Sequence, residues 1–317
     1  MRARARHGFA LLAALALLVT ISIVALELDV AARPRRLAAA GATERVSALA
    51  AATAGVEHAR AMLVRLDPHP PGRLTREATP ALDPWGPADG MVIGPVALEG
   101  MSYRAELRDP YARLPLNAAG EDQLRRLLIA LRIDAHRADM LAQAIADWRD
   151  QDQLRRANGA ERAEYLRERR PLVPDDGPFA ELQTLRFVMG MTDSLFRAVE
   201  PYLTTVGDGG VNLNSAPRPV LLALPGMTVE TVGYILRERA AGRRITDIMR
   251  LGDRLSPGAR QQLRAAMPLL RNVVTLETRE LLVTSDGWRP GGGTMVRVEA
   301  LISRNAEDRV VWQRVLP

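Results

Sequence analysis

The sequence has no cysteine, so thiol nucleophiles, thiolate metal sites and disulfides are all excluded. That absence suits an exported protein that avoids stray oxidation. It has no lysine either: all 43 basic side chains are Arg, which reads as genome composition. Aromatic residues make up only 4%, which disfavours a base-stacking surface. The four histidines, His7, His58, His69 and His136, are scattered, and each reads as a surface or packing residue. There is no H-E-x-x-H, no G-x-S-x-G and no P-loop, so no enzyme constellation is present. Gly291-Gly292-Gly293 lacks the G-x-G-x-x-G context that phosphate binding needs.

What remains is ordinary for a folded chain: 25% charged and 47% hydrophobic residues over 317 positions, enough for two or three domains. The net charge of +6 raises nucleic acid or anionic lipid as partners, although part of it sits at the extreme N-terminus.

That N-terminus is the most informative segment. Arg2, Arg4 and Arg6 precede Gly8-Phe9, and the run Phe9 to Leu26 is apolar except for Thr20 and Ser22. At 1.5 Å per residue the run nearly crosses a hydrocarbon core of roughly 30 Å. Three readings fit: a plain membrane anchor, a secretory signal, or a prepilin-type leader cut between Gly8 and Phe9. A signal needs a small-x-small site, and Val30-Ala31-Ala32 is a poor one beside Glu27 and Asp29. All three readings keep the N-terminus cytoplasmic and export the rest.

Further on, Leu49, Ala52, Val56, Ala59, Leu63 and Leu66 recur at steps of three and four, one apolar stripe on a long helix, with Pro34 expected to kink it or mark a join. A Pro- and Gly-rich loop runs from Asp67 to Gly90. Met91 to Leu98 and Met101 to Leu107 read as strands around a Glu99-Gly100 turn. Glu121 to Leu203 is helical by pattern, with Leu124, Leu127, Leu128 and Leu131 on one face and Met140, Leu141, Ala144 and Ile145 continuing it. Helices follow over Thr228 to Ala241 and Pro257 to Leu269, with Ser215 expected to cap the helix before them. Strands close the chain at Val273 to Thr284, Thr294 to Ser303 and Arg309 to Val315. If the flanking strands share one sheet against the first helix, the fold is α+β with an embedded all-α domain.

Two features invite a functional reading. Val188-Met189-Gly190-Met191-Thr192 and Leu224-Pro225-Gly226-Met227-Thr228 are alike, each between two expected helices. This is the helix-hairpin-helix pattern used twice, serving either packing or phosphate contact, with Arg237, Arg239, Arg243 and Arg244 as the charge. The second feature is Asp147-Trp148-Arg149-Asp150-Gln151-Asp152, three carboxylates leaving a helix for a loop. Asp147, Asp150 and Asp152 could share a hard cation such as Ca²⁺, or form a solvated helix end offset by Arg155 and Arg156, with Asp175 and Asp176 in another loop that could come close.

Together, GFALLAALALL, LNAAGEDQLRRLL, DWRDQD, GPFAELQTLRFVMGMTDSLFRAVEPYLT and VNLNSAPRPVLLALPGMT resemble the K-type minor pseudopilins of type II secretion over nearly the whole chain. The resemblance implies a pilin-like long helix on an antiparallel sheet, with an inserted all-α domain of SAM-like helix-hairpin-helix units. It divides the chain into a leader (1–8), a transmembrane and assembly helix (9–32), a first pilin-like part (33–118), an inserted helical domain (119–205), a helix-hairpin-helix part (206–270) and closing strands (271–317). It implies cleavage after Gly8 by a prepilin peptidase, with N-methylation of Phe9. Pilins generally carry Glu five residues into the mature chain; here that position is Ala13. A carboxylate in bilayer is costly unless paired, so its loss suits a subunit with nothing stacked above it. The implied protein is a non-enzymatic cap of the pseudopilus tip that helps start the fibre and secrete proteins across the outer membrane. It would span the inner membrane once, with its bulk periplasmic. Its implied partners are the I- and J-type minor pseudopilins and the major pseudopilin, with Ca²⁺ in the helical domain. The alternative is a membrane-anchored helix-hairpin-helix DNA receptor of the competence type; nucleic acid is the less favoured partner.

Overall fold

The computed structural model describes residues 3–67, 83–207, 209–304 and 309–316; within 3–37, side chains are described only at 14–23, 26–27 and 33. The first element is one helix, α1 (Ala3–Leu66), which passes position 34 unbroken, so the chain has no join there. Among the described residues no helix is long and apolar enough to cross a membrane; in the run Phe9 to Leu26 the side chains at 9–13 and 24–25 lie outside those described.

Strands β1 (Val92–Leu98) and β2 (Met101–Arg108) form a hairpin in which Leu98 faces Met101. Glu99 and Gly100 both take positive φ, 48° and 77°, the backbone that a two-residue hairpin requires. A helical block follows. It comprises the short β3 (Leu114–Pro115), α2 (Glu121–Ala130), α3 (Ala135–Arg149), α4 (Arg162–Arg167), α5 (Asp193–Val199), β4 (Leu203–Thr204), β5 (Val211–Asn212), α6 (Arg218–Ala223), α7 (Val229–Ala240), α8 (Pro257–Val273) and β6 (Val274–Thr275). The chain then returns through β7 (Glu280–Trp288), β8 (Met295–Ser303) and β9 (Val310–Leu316).

The sheet order is β1-β2-β7-β8-β9, all antiparallel, and Ser102 to Arg108 of β2 pair with Trp288 to Leu282 of β7. The helical block is therefore inserted between two neighbouring strands. The expected strand from Val273 to Thr284 is split: α8 runs on to Val273, β6 takes Val274–Thr275 beside β5, and the strand of the large sheet begins at Glu280.

The C-terminal half of α1 lies on this sheet. Ala48, Ala52, Val56, Ala59 and Leu63 are fully buried against Tyr103, Ala105, Leu107, Leu281, Val283, Val298 and Ala300. Burying side chains the size of Val56 or Leu63 contributes about 1.5–3 kcal/mol each. The buried stripe is shifted from the expected one at its ends: Leu49 is half-buried and Leu66 is exposed. The approach is close because both surfaces are small. A Cβ at Gly287 would strike the backbone of Ala48 and Ala52, and one at Gly55 would strike Ser285 and Tyr103.

The helical block has its own continuous core, from Leu114 through Trp148, Phe196 and Val220 to Leu270. In α3, Leu141, Ala144 and Ile145 are buried as their spacing implies, while Met140 is turned outward. A polar seam joins the block to the sheet. Asp109 Oδ2 accepts from Asn212 Nδ2 (2.8 Å) and Ser215 Oγ (2.6 Å), and its Oδ1 accepts from Tyr111 N (2.8 Å). Ser215 is thus spent on the seam and does not cap α6, whose N-cap is Pro217. Nearby, Arg244 pairs with the fully buried side chain of Asp83 at 2.7 Å, and Thr278 N donates to the same carboxylate oxygen.

Candidate metal centre

The acidic segment sits where α3 ends. Asp134 starts that helix by accepting from His136 N and Arg137 N, and Asp150 terminates it as C-cap. Trp148 anchors the end: it is buried, stacked on Phe179 at 5.9 Å and edge-on to Tyr165 at 5.2 Å. Arg149 donates to the carbonyls of Leu116 and Ala119, tying the same turn to the chain before α2. Asn117 exchanges two hydrogen bonds with the backbone of Phe179, which brings the 175–179 loop to the same place.

The loop after Asp150 folds back over Asp147. Arg156 N donates to Asp147 Oδ2 at 3.2 Å, and its guanidinium Nη1 lies 2.5 Å from both Asp147 Oδ1 and Asp150 Oδ2. Asn158 binds Gln143 and Asp139 on α3. Gly159 packs against Asp147, and any Cβ there would strike its carboxylate. The chain then delivers Glu161 to the centre. Carboxylate oxygens of Asp147, Asp150 and Glu161 lie within 4.8 Å of one another.

The electrostatics are those of a site short of positive charge. The Glu161 side chain is only 2% exposed, and neither oxygen has a hydrogen-bond partner among the described residues. Burial first, then Asp147, Asp150, Asp176 and Asp152, push its carboxyl up to about 7. Burial also raises Asp147 against the opposing pull of Arg156. Asp150 Oδ1 and Asp176 Oδ1 are likewise buried and unpartnered among the described residues. Hard cations take six to eight oxygens, many from carboxylates, and this donor set fits one. Arg156 is held strongly in its charged form, chiefly by its bond to Asp150.

Of the three acids singled out from the sequence, Asp147 and Asp150 share the centre. Asp152 is exposed and accepts from Leu154 N. Glu161 was missed because it opens α4 and reads locally as a helix-start acid. The usable signal was Gly159-Ala160 before it, two small residues that let a backbone approach a buried carboxylate. Asp176, in a left-handed conformation at φ 54°, comes near enough to affect Glu161.

The two hairpin turns repeat in detail. Gly190 and Gly226 have φ of 83° and 71°, Met191 and Met227 behind them are buried, and Thr192 and Thr228 cap α5 and α7. The element before Gly190 is a 3₁₀ turn, Leu182–Phe187, rather than an α-helix. Gly226 packs on Gln262, Leu263 and Ala266 of α8. Three of the four nearby arginines are engaged within the molecule, Arg239 with the carbonyls of Ser215 and Ala216, Arg243 with Glu238, and Arg244 with Asp83, while Arg237 is exposed. Gly8, Phe9 and Ala13 lie along α1, with their side chains outside the described residues.

Fold and site define an α+β protein: a long helix on a five-stranded antiparallel sheet, with a helical region carrying a buried acidic cluster. A family model described as type II secretion system (T2SS), protein K, matches residues 105–208. Three proteins titled type II secretion system protein K are similar to the chain. The Dickeya chrysanthemi protein is 30% identical over 44% of this chain and 42% of its own length. The Pseudomonas aeruginosa protein is 28% identical over 70% of this chain and 68% of its own. The Klebsiella pneumoniae protein is 30% identical over 37% and 38%. The matched stretches thus span less than half of two of these relatives and about two thirds of the other. A chain of the crystal structure of the GspK-GspI-GspJ complex from the enterotoxigenic Escherichia coli type 2 secretion system has the same fold. The TM-score is 0.61 at 19% identity, over 90% of this chain and 99% of that one. The similarity to type II secretion system protein K thus lies in the family model over residues 105–208 and in the relatives over parts of their length.

Proposed function

We propose that this chain is a minor pseudopilin that caps the tip of the type II secretion pseudopilus, helping start the fibre and support export across the outer membrane. The observation that carries this reading is the division of α1. Its C-terminal half is buried on the sheet, while Leu15, Leu17, Leu18, Val19, Ile21, Ile23 and Leu26 are each more than half exposed. So much bare apolar surface calls for lipid or other helices. The match of residues 105–208 to the protein K family model and the shared fold with a chain from a GspK-GspI-GspJ complex support it.

On this reading a prepilin peptidase cuts between Gly8 and Phe9 and methylates Phe9. The helix from Phe9 crosses the inner membrane once, with its leader cytoplasmic and the bulk periplasmic. Ala13, in place of the usual carboxylate, leaves nothing to pair with a subunit above. The partners are the I- and J-type minor pseudopilins and then the major pseudopilin. Ca²⁺ is held by Asp147, Asp150 and Glu161, with Asp176 close by, and serves to neutralise and fix the loops around α3.

The test is purification of the native full chain from membranes in detergent, followed by mass spectrometry and by co-elution with the I- and J-type subunits. The expected mature chain begins at N-methylated Phe9 and elutes with both partners. An intact Met1 or Arg2 would overturn the processing, and elution alone would overturn the tip assembly. The DNA-receptor alternative is disfavoured by the engaged Arg239, Arg243 and Arg244. It requires salt-sensitive DNA retention by the full chain at about 50 mM salt, where none is expected.

A further inference from the structure

We infer that Arg156 is a built-in counter-cation of the acidic centre, displaced toward Glu121 when a divalent cation binds; the inference rests on the calcium reading above. One nitrogen, Nη1, spans Asp147 Oδ1 and Asp150 Oδ2 at 2.5 Å each. These are two of the three carboxylates that a cation at this centre would bridge. The Asp147 side chain is fully buried, and an ionised carboxylate at such a site needs a counter-charge. Arg156 supplies one, but incompletely. A guanidinium is planar, spreads a single charge and presents its donors as a flat fork. It satisfies Asp147 and Asp150 and leaves both oxygens of the buried Glu161 without a partner among the described residues.

A divalent ion is compact, doubly charged and able to gather oxygens from several directions. It would draw on the same two carboxylates that Nη1 now holds, so the two cations compete. Arg156 has somewhere to go. Its Nε already lies 3.3 Å from Glu121 Oε2, at the first residue of α2, and both side chains reach solvent. The bond from Arg156 N to Asp147 Oδ2 is a backbone contact, so the loop stays tethered when the side chain leaves. The centre thus has two charge arrangements: one closed by the protein's own arginine, the other by the ion with Arg156 held on α2.

The experiment is calorimetric titration of the full chain in detergent, stripped of divalent ions, with CaCl₂ as the only added ligand. Arg156→Gln should bind calcium at least about tenfold more tightly than the wild type, because a competing charged hydrogen bond is gone. Arg156→Lys should fall between them. Glu121→Gln should weaken binding in the wild-type background and have no effect alongside Arg156→Gln. If Arg156→Gln is poorly folded without calcium, the lysine variant and Glu121→Gln carry the same test. Equal or weaker binding by both Arg156 variants, or an equal Glu121→Gln effect in both backgrounds, overturns the displacement while leaving the calcium site standing. No binding by any of these proteins overturns the calcium reading and the displacement with it.

Discussion

Asp109 shows how much a single carboxylate can do at a seam. It is 1% exposed and takes hydrogen bonds from Tyr111, Asn212 and Ser215, yet burial outweighs those donors and pushes its carboxyl up to about 6. The sign follows from linkage. Between pH 4 and 6 the folded protein holds a proton on Asp109 that the unfolded chain has released, so this group stabilises the fold more at pH 4 than at pH 6. The loss across that window is at most about 3 kcal/mol. Urea unfolding midpoints of the wild type should therefore carry a component that falls as pH rises through this range, and Asp109→Asn should lack it. At Gly226 the constraint is steric. Its φ of 71° disfavours any side chain, and a Cβ would meet Ala266 at 2.5 Å and the carbonyl of Gln262 at 3.1 Å. Gly226→Ala should cost about 1–3 kcal/mol, read as a lowered midpoint. Gly190→Ala should cost less, since Leu141 leaves 3.5 Å of room.

At the scale of elements, the deciding contact is between α1 and β7. Gly287 admits the helix backbone itself, and Gly55 seats α1 on Ser285 and Tyr103. Gly287→Val should push the helix off the sheet, exposing the stripe from Ala48 to Leu63. Limited proteolysis should then cut α1 within residues 48–63, a region resistant in the wild type. The β1–β2 hairpin was legible in the sequence because Glu99-Gly100 suits a turn with two positive φ values. The repeated Gly-Met-Thr was legible for the same kind of reason, a glycine with positive φ followed by a capping threonine. Ser215 misled because a serine before a helix is a local signal, and the buried Asp109, 106 residues earlier, competed for its hydroxyl. Glu161 was hidden likewise: apart from the small pair Gly159-Ala160, nothing in its neighbourhood reports that the loop behind it folds back over α3.

Over the whole molecule, two cores share one seam. The sheet and α1 enclose one, the helical block the other, and Asp83 and Asp109 join them through Arg244, Asn212 and Ser215. If calcium closes the acidic centre as proposed, its effect should stay in its own core. Hydrogen exchange should slow on calcium addition in α3, α4 and the 175–179 loop, and remain unchanged in β1, β2 and β7 to β9. Uniform slowing across both cores would contradict that separation.

The periodic and local features could be read from the residues alone: the N-terminal apolar run, the stripe on α1, the alternating strands, the turn glycines and the acids around Trp148. Each of these is written in residues a few positions apart, where helix and strand periods and turn stereochemistry act. It took the folded chain to place β2 beside β7 across the inserted block, to bring Glu161 rather than Asp152 into the acidic cluster, and to set Arg156 within it. Those outcomes depend on which buried charges face each other after the chain has folded back, and no local period records that.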